Sequence, residues 1–387
     1  MADAWPRTPR DILSRLVAFD TVSSRSNMAL IEWVAAFLGA HGIAAEIIRD
    51  AQEDKANLLA TIGPRDGAGI ILSGHTDVVP VAGQDWSTDP FTLVEREGRL
   101  YARGTCDMKG FIACVLSMVP RLAAAELKEP VHLAFSYDEE VGCTGVVSMI
   151  RRLAERRPKP RLCIVGEPTD MQLVTTHKAI RDFVTEVTGL EGHSSRPDKG
   201  VNAIQYAARM IRFLEDLGRE LAAAPADHMC EPPYTTISVG VIEGGTAVNI
   251  IPGQCRFHWD NRVLPGEAPD LVINRFNAYV EREILPEMRA LDPRASVVTT
   301  KCADAPGLNP EDGSDAETLV LSLLGSNARI GVSYATEAGH FQGIGIPTVV
   351  CGPGSILQAH KPDEFVEISQ IDACEAFLGR LVTRLTR

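Results

Sequence analysis

Two periodicities alternate along the first part of the chain. Residues 8–20 and 27–41 carry apolar side chains at helical spacing; Trp33, Val34, Phe37 and Leu38 form the stripe of the second helix and His41-Gly42 its stop. Between and after them lie short apolar runs that read as strands: Ile43–Ile48, Asn57–Ile62, Ile70–Leu72, Val131–Tyr137 and Leu162–Val165. Asp85–Pro90 is loop, Phe91–Tyr101 predicts a hairpin around Glu97-Gly98, and Gly110–Ala125 and Thr144–Glu155 predict helices. Strands alternating with helices predict an α/β domain with a mostly parallel sheet covered on both faces.

The texture changes near residue 180. Ile180–Thr188 alternates polar and apolar positions, as a half-exposed strand does. A helix over Val201–Ala223, strands over Thr235–Val241 and Asn249–Asn261, a helix over Pro269–Glu287 and a strand over Ala295–Lys301 follow. That β-α-β-β-α-β order is the ferredoxin-like unit, a domain in its own right. Ala316–Leu324 (helix), Pro347–Cys351 (buried strand) and Ile371–Arg387 (helix) return to the α/β texture. The expected organisation is a discontinuous domain, 1–179 and 305–387, with 180–304 inserted in it.

A chain of 387 residues fits two domains and builds a sizeable core. Its net charge of −13 argues against nucleic acid or an anionic membrane as partner. No stretch approaches the roughly 18–20 apolar residues of a membrane span, and Met1–Pro9 has no apolar core of a secretory signal. Nine cysteines are scattered without a Cys-x-x-Cys pair, which suggests reduced thiols in a cytoplasmic protein. Cys106 and Cys143 stand beside residues singled out below and are read as buried bystanders rather than zinc ligands.

The candidate chemistry sits where predicted strands end. After Ile70–Leu72 come His75 and Asp77, two residues apart, so that on extended backbone they face one side. Open α/β sheets bind their ligands just past such carboxyl ends. Asp107 lies in a Gly-bounded loop before an apolar helix, Asp138-Glu139-Glu140 follows one strand, Glu167 the next, and His360 the last. Adjacent carboxylates at a sheet edge are costly unless a cation neutralises them. Two histidines and several carboxylates, without paired thiolates, suit Zn²⁺, Co²⁺ or Mn²⁺. The count suits two ions: a histidine and a carboxylate for each, one carboxylate between them, one left as general base, and Asp77 to orient His75. Two such ions sharing a water make a hydroxide nucleophile at neutral pH.

Taken in order, these motifs carry a resemblance. His75-x-Asp77-x-x-Pro80, Gly104-Thr105-x-Asp107-Met108-Lys109-Gly110, Asp138-Glu139-Glu140-x-Gly142, Gly166-Glu167-Pro168-Thr169, Gly192-His193-Ser194-Ser195-x-Pro197 and Gly352-Pro353-Gly354 before Ala359-His360 are similar to those of the di-zinc metallopeptidase family. That family holds acetylornithine deacetylase, succinyl-diaminopimelate desuccinylase, aminoacylase and glutamate-releasing carboxypeptidases. Leu100–Phe111 and Ala335-Thr336-Glu337-Ala338 resemble the acetylornithine deacetylases most.

The resemblance implies a di-zinc aminopeptidase-like catalytic domain with the inserted domain as lid and homodimer contact. It implies that Asp107 bridges two ions, His75 and Glu167 hold one, Glu140 and His360 hold the other, and Glu139 is general base and then acid. It also implies that His193 stabilises the tetrahedral oxyanion, in its own subunit or across the dimer. Asn249, in the loop Gly244–Pro252, would contact substrate, and Arg262 suits an α-carboxylate. Glu337 is expected to attract a side-chain ammonium and repel a diacid; His340, close by, is structural or lines the substrate. The implied reaction is removal of a small acyl group from an N-acyl amino acid, acetylornithine first; a diaminobutyrate deacetylase, a desuccinylase or a dipeptidase are the alternatives within the family, and a non-catalytic binding module the alternative outside it.

Overall fold

A computed structural model describes residues 5–224 and 229–386. The readings of Met1–Pro9 and of the closing helix reach residues 1–4 and 387, which lie outside the described residues. The chain divides into two compact units, one of Met1–Thr176, Leu308–Ile330 and Thr336–Arg387, the other of His177–Gly307 and Gly331–Ala335.

The first unit is built on one sheet. Its strand order is Ala45–Arg49, Ala56–Ile62, Val131–Ser136, Ile70–His75, Leu162–Val165, Thr348–Val350, Leu173–His177 and Arg329–Val332. The four strands from Val131–Ser136 to Thr348–Val350 run parallel. The two before them pair antiparallel because the turn joining Arg49 to Ala56 is too short for a crossover, and Val350 meets Val174 antiparallel. The central strands are buried at every position, as strands covered on both faces must be, which explains their unbroken apolar runs. Leu13, Phe37, Phe111, Phe135 and Phe377 belong to one continuous core in this unit.

Register sets up the site. His75 lies beside Ser136 and Ser73 beside Val165, so the three strands end together. Among the elements not legible in the apolar pattern are the strands Leu173–His177, Arg329–Val332 and Phe365–Glu367 and the short helix Ala338–Gly343. The hairpin forms as read, with Glu97 at φ 53° and Gly98 at φ 76°.

The second unit is a four-stranded antiparallel sheet in the order Thr236–Gly244, Gln254–Val263, Ala179–Thr188 and Ser296–Ala305. Helix Ala203–Ala222 follows the first strand in sequence. Phe183, Trp259 and Phe276 pack in its core, the first two stacked at 4.4 Å. The single strand expected over Asn249–Asn261 is broken into Ile250–Ile251 and Gln254–Val263. Pro252 has no N–H to give a ladder, and its carbonyl instead accepts from Ala203. The helix expected to stop at Glu287 reaches Leu291, passing through a π turn at Val280–Ile284 just before Pro286.

Candidate metal centre

At the carboxyl ends of the parallel strands, Asp107 stands between two histidines. His75 Nε2 is 3.0 Å from Asp107 Oδ1, and His360 Nε2 is 3.4 Å from Asp107 Oδ2. His360 Nε2 is also 3.0 Å from Glu140 Oε2, and His75 Nε2 is 3.8 Å from Glu167 Oε1. His75, Glu139 and Glu167, and likewise His75, Asp107 and Glu140, offer ligand atoms within 4.8 Å of one another. Six of the residues singled out in the sequence, from four loops and a strand end, thus meet in one place. No cysteine is in either group among the described residues; all nine are free thiols, and Cys106 and Cys143 are buried.

Local structure aims each group. Glu167 follows Gly166, where a Cβ would lie 2.0 Å from the Phe111 ring; glycine is needed for the strand to pass over that ring. Asp138 adopts φ 56°, unusual outside glycine, and turns the chain back on itself at the strand end. Lys55 Nζ holds this turn by donating to Asp138 Oδ1 at 2.6 Å and to the Ser23 carbonyl at 2.5 Å. Asp107 is not at the end of a central strand; it lies in the loop between the hairpin and helix Lys109–Ala124.

Asp77 departs from its expected role in a specific way. The nearer acceptor for His75 Nδ1 is the backbone carbonyl of Asp77, at 3.0 Å, and the carboxylate Oδ1 is 3.6 Å away. That bond places the proton on Nδ1 and leaves Nε2 free to ligate. The carboxylate accepts from Ser23 Oγ at 2.7 Å and from the amides of Glu139 and Glu140 at 3.2 and 3.3 Å. Asp77 therefore links the histidine to the glutamate pair. Ser23 and Lys55 gave no motif signal, since a lone serine and a lone lysine far along the chain look like surface residues.

The charges are those of a site that wants cations. Burial, followed by repulsion from Asp107, pushes the Glu140 carboxyl up to about 7. Burial also raises Glu139 and Glu167 well above the usual carboxyl range, with neighbouring carboxylates adding to it against the opposing charge of His75. Glu167 Oε1 is buried without a hydrogen-bond partner. Hydrogen bonds to Asp107 and Glu140 lift His360 to about 10. Burial alone would lower His75, but the charge of Glu167 and the bonds to Asp107 and Asp77 raise it. Burial alone would raise Asp107, but bonds from His360 and His75 hold it below the usual range. Divalent ions among these donors would replace the protons the cluster otherwise keeps, so the residues fit a metal centre.

Glu337 calls for a correction. It is fully buried, and its two oxygens accept from Ser73 Oγ at 2.5 Å and Ser136 Oγ at 2.6 Å. With no exposed surface, the side chain does not offer direct contact to a substrate ammonium; the residue ties two adjacent strand ends together. His340 lies in the short helix that starts after Glu337.

His193, Asn249 and Arg262 belong to the second unit. His193 pairs with Ile250 in a two-residue ladder and is exposed. Its Nδ1 accepts from the Ser195 amide at 3.2 Å, with Ser195 Oγ 2.8 Å away, so the ring proton sits on Nε2. Asn249 is exposed, and its carbonyl accepts from the Ser194 amide at 3.1 Å. Arg262 donates Nε to Asp260 at 3.1 Å.

The family model described as Peptidase family M20/M25/M40 matches residues 71–384. An acetylornithine deacetylase of Myxococcus xanthus is 40% identical, the match covering 99% of this chain and 98% of that protein. Among solved structures, an M20 family metallo-carboxypeptidase from Sulfolobus solfataricus superposes with a TM-score of 0.76 at 18% identity, covering 98% of this chain and 99% of that one. A Bacillus subtilis protein described as a dinuclear metal binding peptidase from the M20 family has a TM-score of 0.65 at 16% identity, with 97% of each chain covered. At these identities the structural matches speak for the fold alone.

Proposed function

The chain belongs to peptidase family M20/M25/M40, and from that premise we propose that it hydrolyses the amide of an N-acyl amino acid, releasing acetate and ornithine from acetylornithine as a cytoplasmic step of arginine biosynthesis. The observation that carries the reading is Asp107 set between two histidines with Glu139 alongside. The name of the Myxococcus xanthus relative supports the choice of substrate.

His75 and Glu167 would hold one divalent ion, Glu140 and His360 a second, and Asp107 both; zinc suits these donors first, and cobalt or manganese after it. Bound there, the ions supply activation of the attacking water and polarisation of the amide carbonyl. Glu139 takes the proton of that water and returns it to the departing amine. Its raised proton affinity supports a carboxyl that holds a proton between the two transfers. His193 donates from Nε2 to the developing oxyanion. Arg262 receives the α-carboxylate on its two terminal nitrogens while Asp260 holds Nε, and Asn249 adds a polar contact.

The second unit serves as lid and as the contact of a homodimer. Its sheet ends in a nine-residue edge strand, Thr236–Gly244, on which Val241 and Ile242 are about half exposed, and long apolar edges are covered in stable proteins.

The test compares acetylornithine, succinyl-diaminopimelate and acetylmethionine as substrates of the zinc- or cobalt-loaded protein. Preference for either of the last two overturns the substrate assignment, and inertness toward all three overturns the deacylase reading.

A further inference from the structure

Behind the candidate metal centre lies a buried polar chain that no motif marked. Glu364 is 1% exposed, and every oxygen of its side chain is used. Oε1 accepts from the amide of Cys106 at 2.9 Å and of Asp107 at 3.1 Å. Oε2 accepts from Arg103 NH1 at 2.6 Å. Arg103, also 1% exposed, donates NH2 to Gln84 Oε1 at 2.6 Å, and its guanidinium lies over the Trp86 ring at 5.0 Å. Gln84 then donates Nε2 to the backbone carbonyl of His360 at 2.9 Å. One continuous chain thus runs from the backbone of Asp107 to the backbone of His360.

That chain has work to do at both ends. His360 sits at φ 64° and Asp363 at φ 53°, a left-handed conformation that is costly for a non-glycine residue and persists only where its surroundings hold it. Both residues are strapped to one loop: His360 by Gln84, and Asp363 Oδ1 by the Ser87 amide and hydroxyl at 2.8 and 3.0 Å. The exposed side chain of His360 has little packing to aim it, so its direction follows from its backbone. At the other end, the anionic Glu364 fixes the amide of the residue whose two oxygens face the two histidines. Arg103 neutralises Glu364, without which a buried carboxylate would be untenable beside Asp107.

We propose that Glu364, Arg103 and Gln84 are positioning residues that hold Asp107 and His360 in register with one another, and so set the geometry in which a pair of divalent ions is held. The inference rests on the two-ion reading given above.

The test is cobalt binding to the full-length protein, followed by calorimetric titration and by the visible absorption of bound Co²⁺. Glu364→Gln keeps size but turns an amide nitrogen on Arg103 or on the two backbone amides. It is expected to weaken cobalt binding at least about 10-fold and to change the absorption bands, since ligands lose orientation when their supporting bonds are lost. Gln84→Glu keeps the acceptor for Arg103 but sets an oxygen against the His360 carbonyl. It is expected to weaken one ion about 10-fold and leave the other as in the wild type. Gln84 is in a partly exposed loop, so this variant decides the matter if Glu364→Gln does not fold. Asp107→Asn separates the two levels of the argument. If it binds two cobalt ions like the wild type, the two-ion reading fails. If Asp107→Asn loses cobalt while both other variants keep wild-type affinity and spectrum, the brace is refuted.

Discussion

Removing divalent metal should expose a share of this protein's stability that falls as pH rises, against the ordinary trend for a protein rich in paired carboxylates. The groups responsible are buried at the strand ends. In metal-free folded protein Glu140 keeps its proton up to about pH 7, whereas in the unfolded chain it loses it at 4.5. Glu139, Glu167, His75 and His360 likewise bind protons more tightly folded than unfolded. The folded state then carries more protons through this window, so unfolding free energy falls with pH. At ~1.36 kcal/mol per pKa unit, the Glu140 shift alone amounts to about 3 kcal/mol lost between pH 4.5 and about 7. His360 continues the fall from its unfolded value of 6.5 up to about 10. Its side chain is 55% exposed, so solvent screening limits its share to about 1 kcal/mol. Asp77 and Asp107, held below their usual range, act oppositely in acid, where their stabilisation is lost as they protonate, and burial lowers His132 to about 4 and Lys109 to about 7, which opposes the fall below about pH 6.5 and above about pH 7.

Urea unfolding of chelator-treated protein at about pH 5 and about pH 9 measures this. Three of the four tryptophans, Trp5, Trp33 and Trp86, belong to the unit that holds the cluster, so a Trp259→Phe background reports that unit alone. We expect the metal-free wild type to lose about 3 kcal/mol more between the two pH values than metal-free Glu140→Gln, a difference in which Lys109 and His132 cancel. Reloading the wild type with zinc should abolish the cluster's share of the slope, because ions replace the protons and bind more tightly as pH rises. The difference between wild type and Glu140→Gln separates the cluster from the general effect of net negative charge. The same pH dependence in metal-free wild type and metal-free Glu140→Gln would refute the reasoning.

Glu139→Gln should lower turnover by about 10²–10⁴-fold while metal content by atomic absorption stays at the wild-type level; emptied metal sites would make Glu139 a ligand instead. His75→Ala should weaken metal binding directly. Asp77→Ala should cut turnover more than metal content and cost about 3 kcal/mol in stability, because the amides of Glu139 and Glu140 and the Ser23 hydroxyl lose their acceptor. Glu337→Gln should destabilise by about 1–3 kcal/mol through its two serine bonds and leave the preference between basic and acidic acyl-amino acids unchanged; a changed preference would mean that its charge reaches the substrate.

The sequence alone determined the parts whose signal is local. Unbroken apolar runs mark the buried parallel strands, alternation marks the half-exposed strand Ala179–Thr188, and polar residues placed just after strands mark the candidate centre. His75, Glu139, Glu140, Glu167 and His360 were legible because strand ends gather on one edge of such a sheet, and Asp107 from its Gly-bounded loop before an apolar helix. Short elements such as Arg329–Val332 and Ala338–Gly343 were not, since pairing and burial against neighbours stabilise them rather than their own pattern. Tertiary structure alone decided what each polar group is bonded to. Glu337 reads as a substrate contact until Ser73 and Ser136, each more than 200 residues away in sequence, are seen to occupy it. Glu364 belongs to no motif, and Arg103 and two amides from a loop over 250 residues earlier enclose it. A hydrogen bond depends on positions within a few tenths of an ångström, and no spacing along a chain encodes which distant backbone will arrive there.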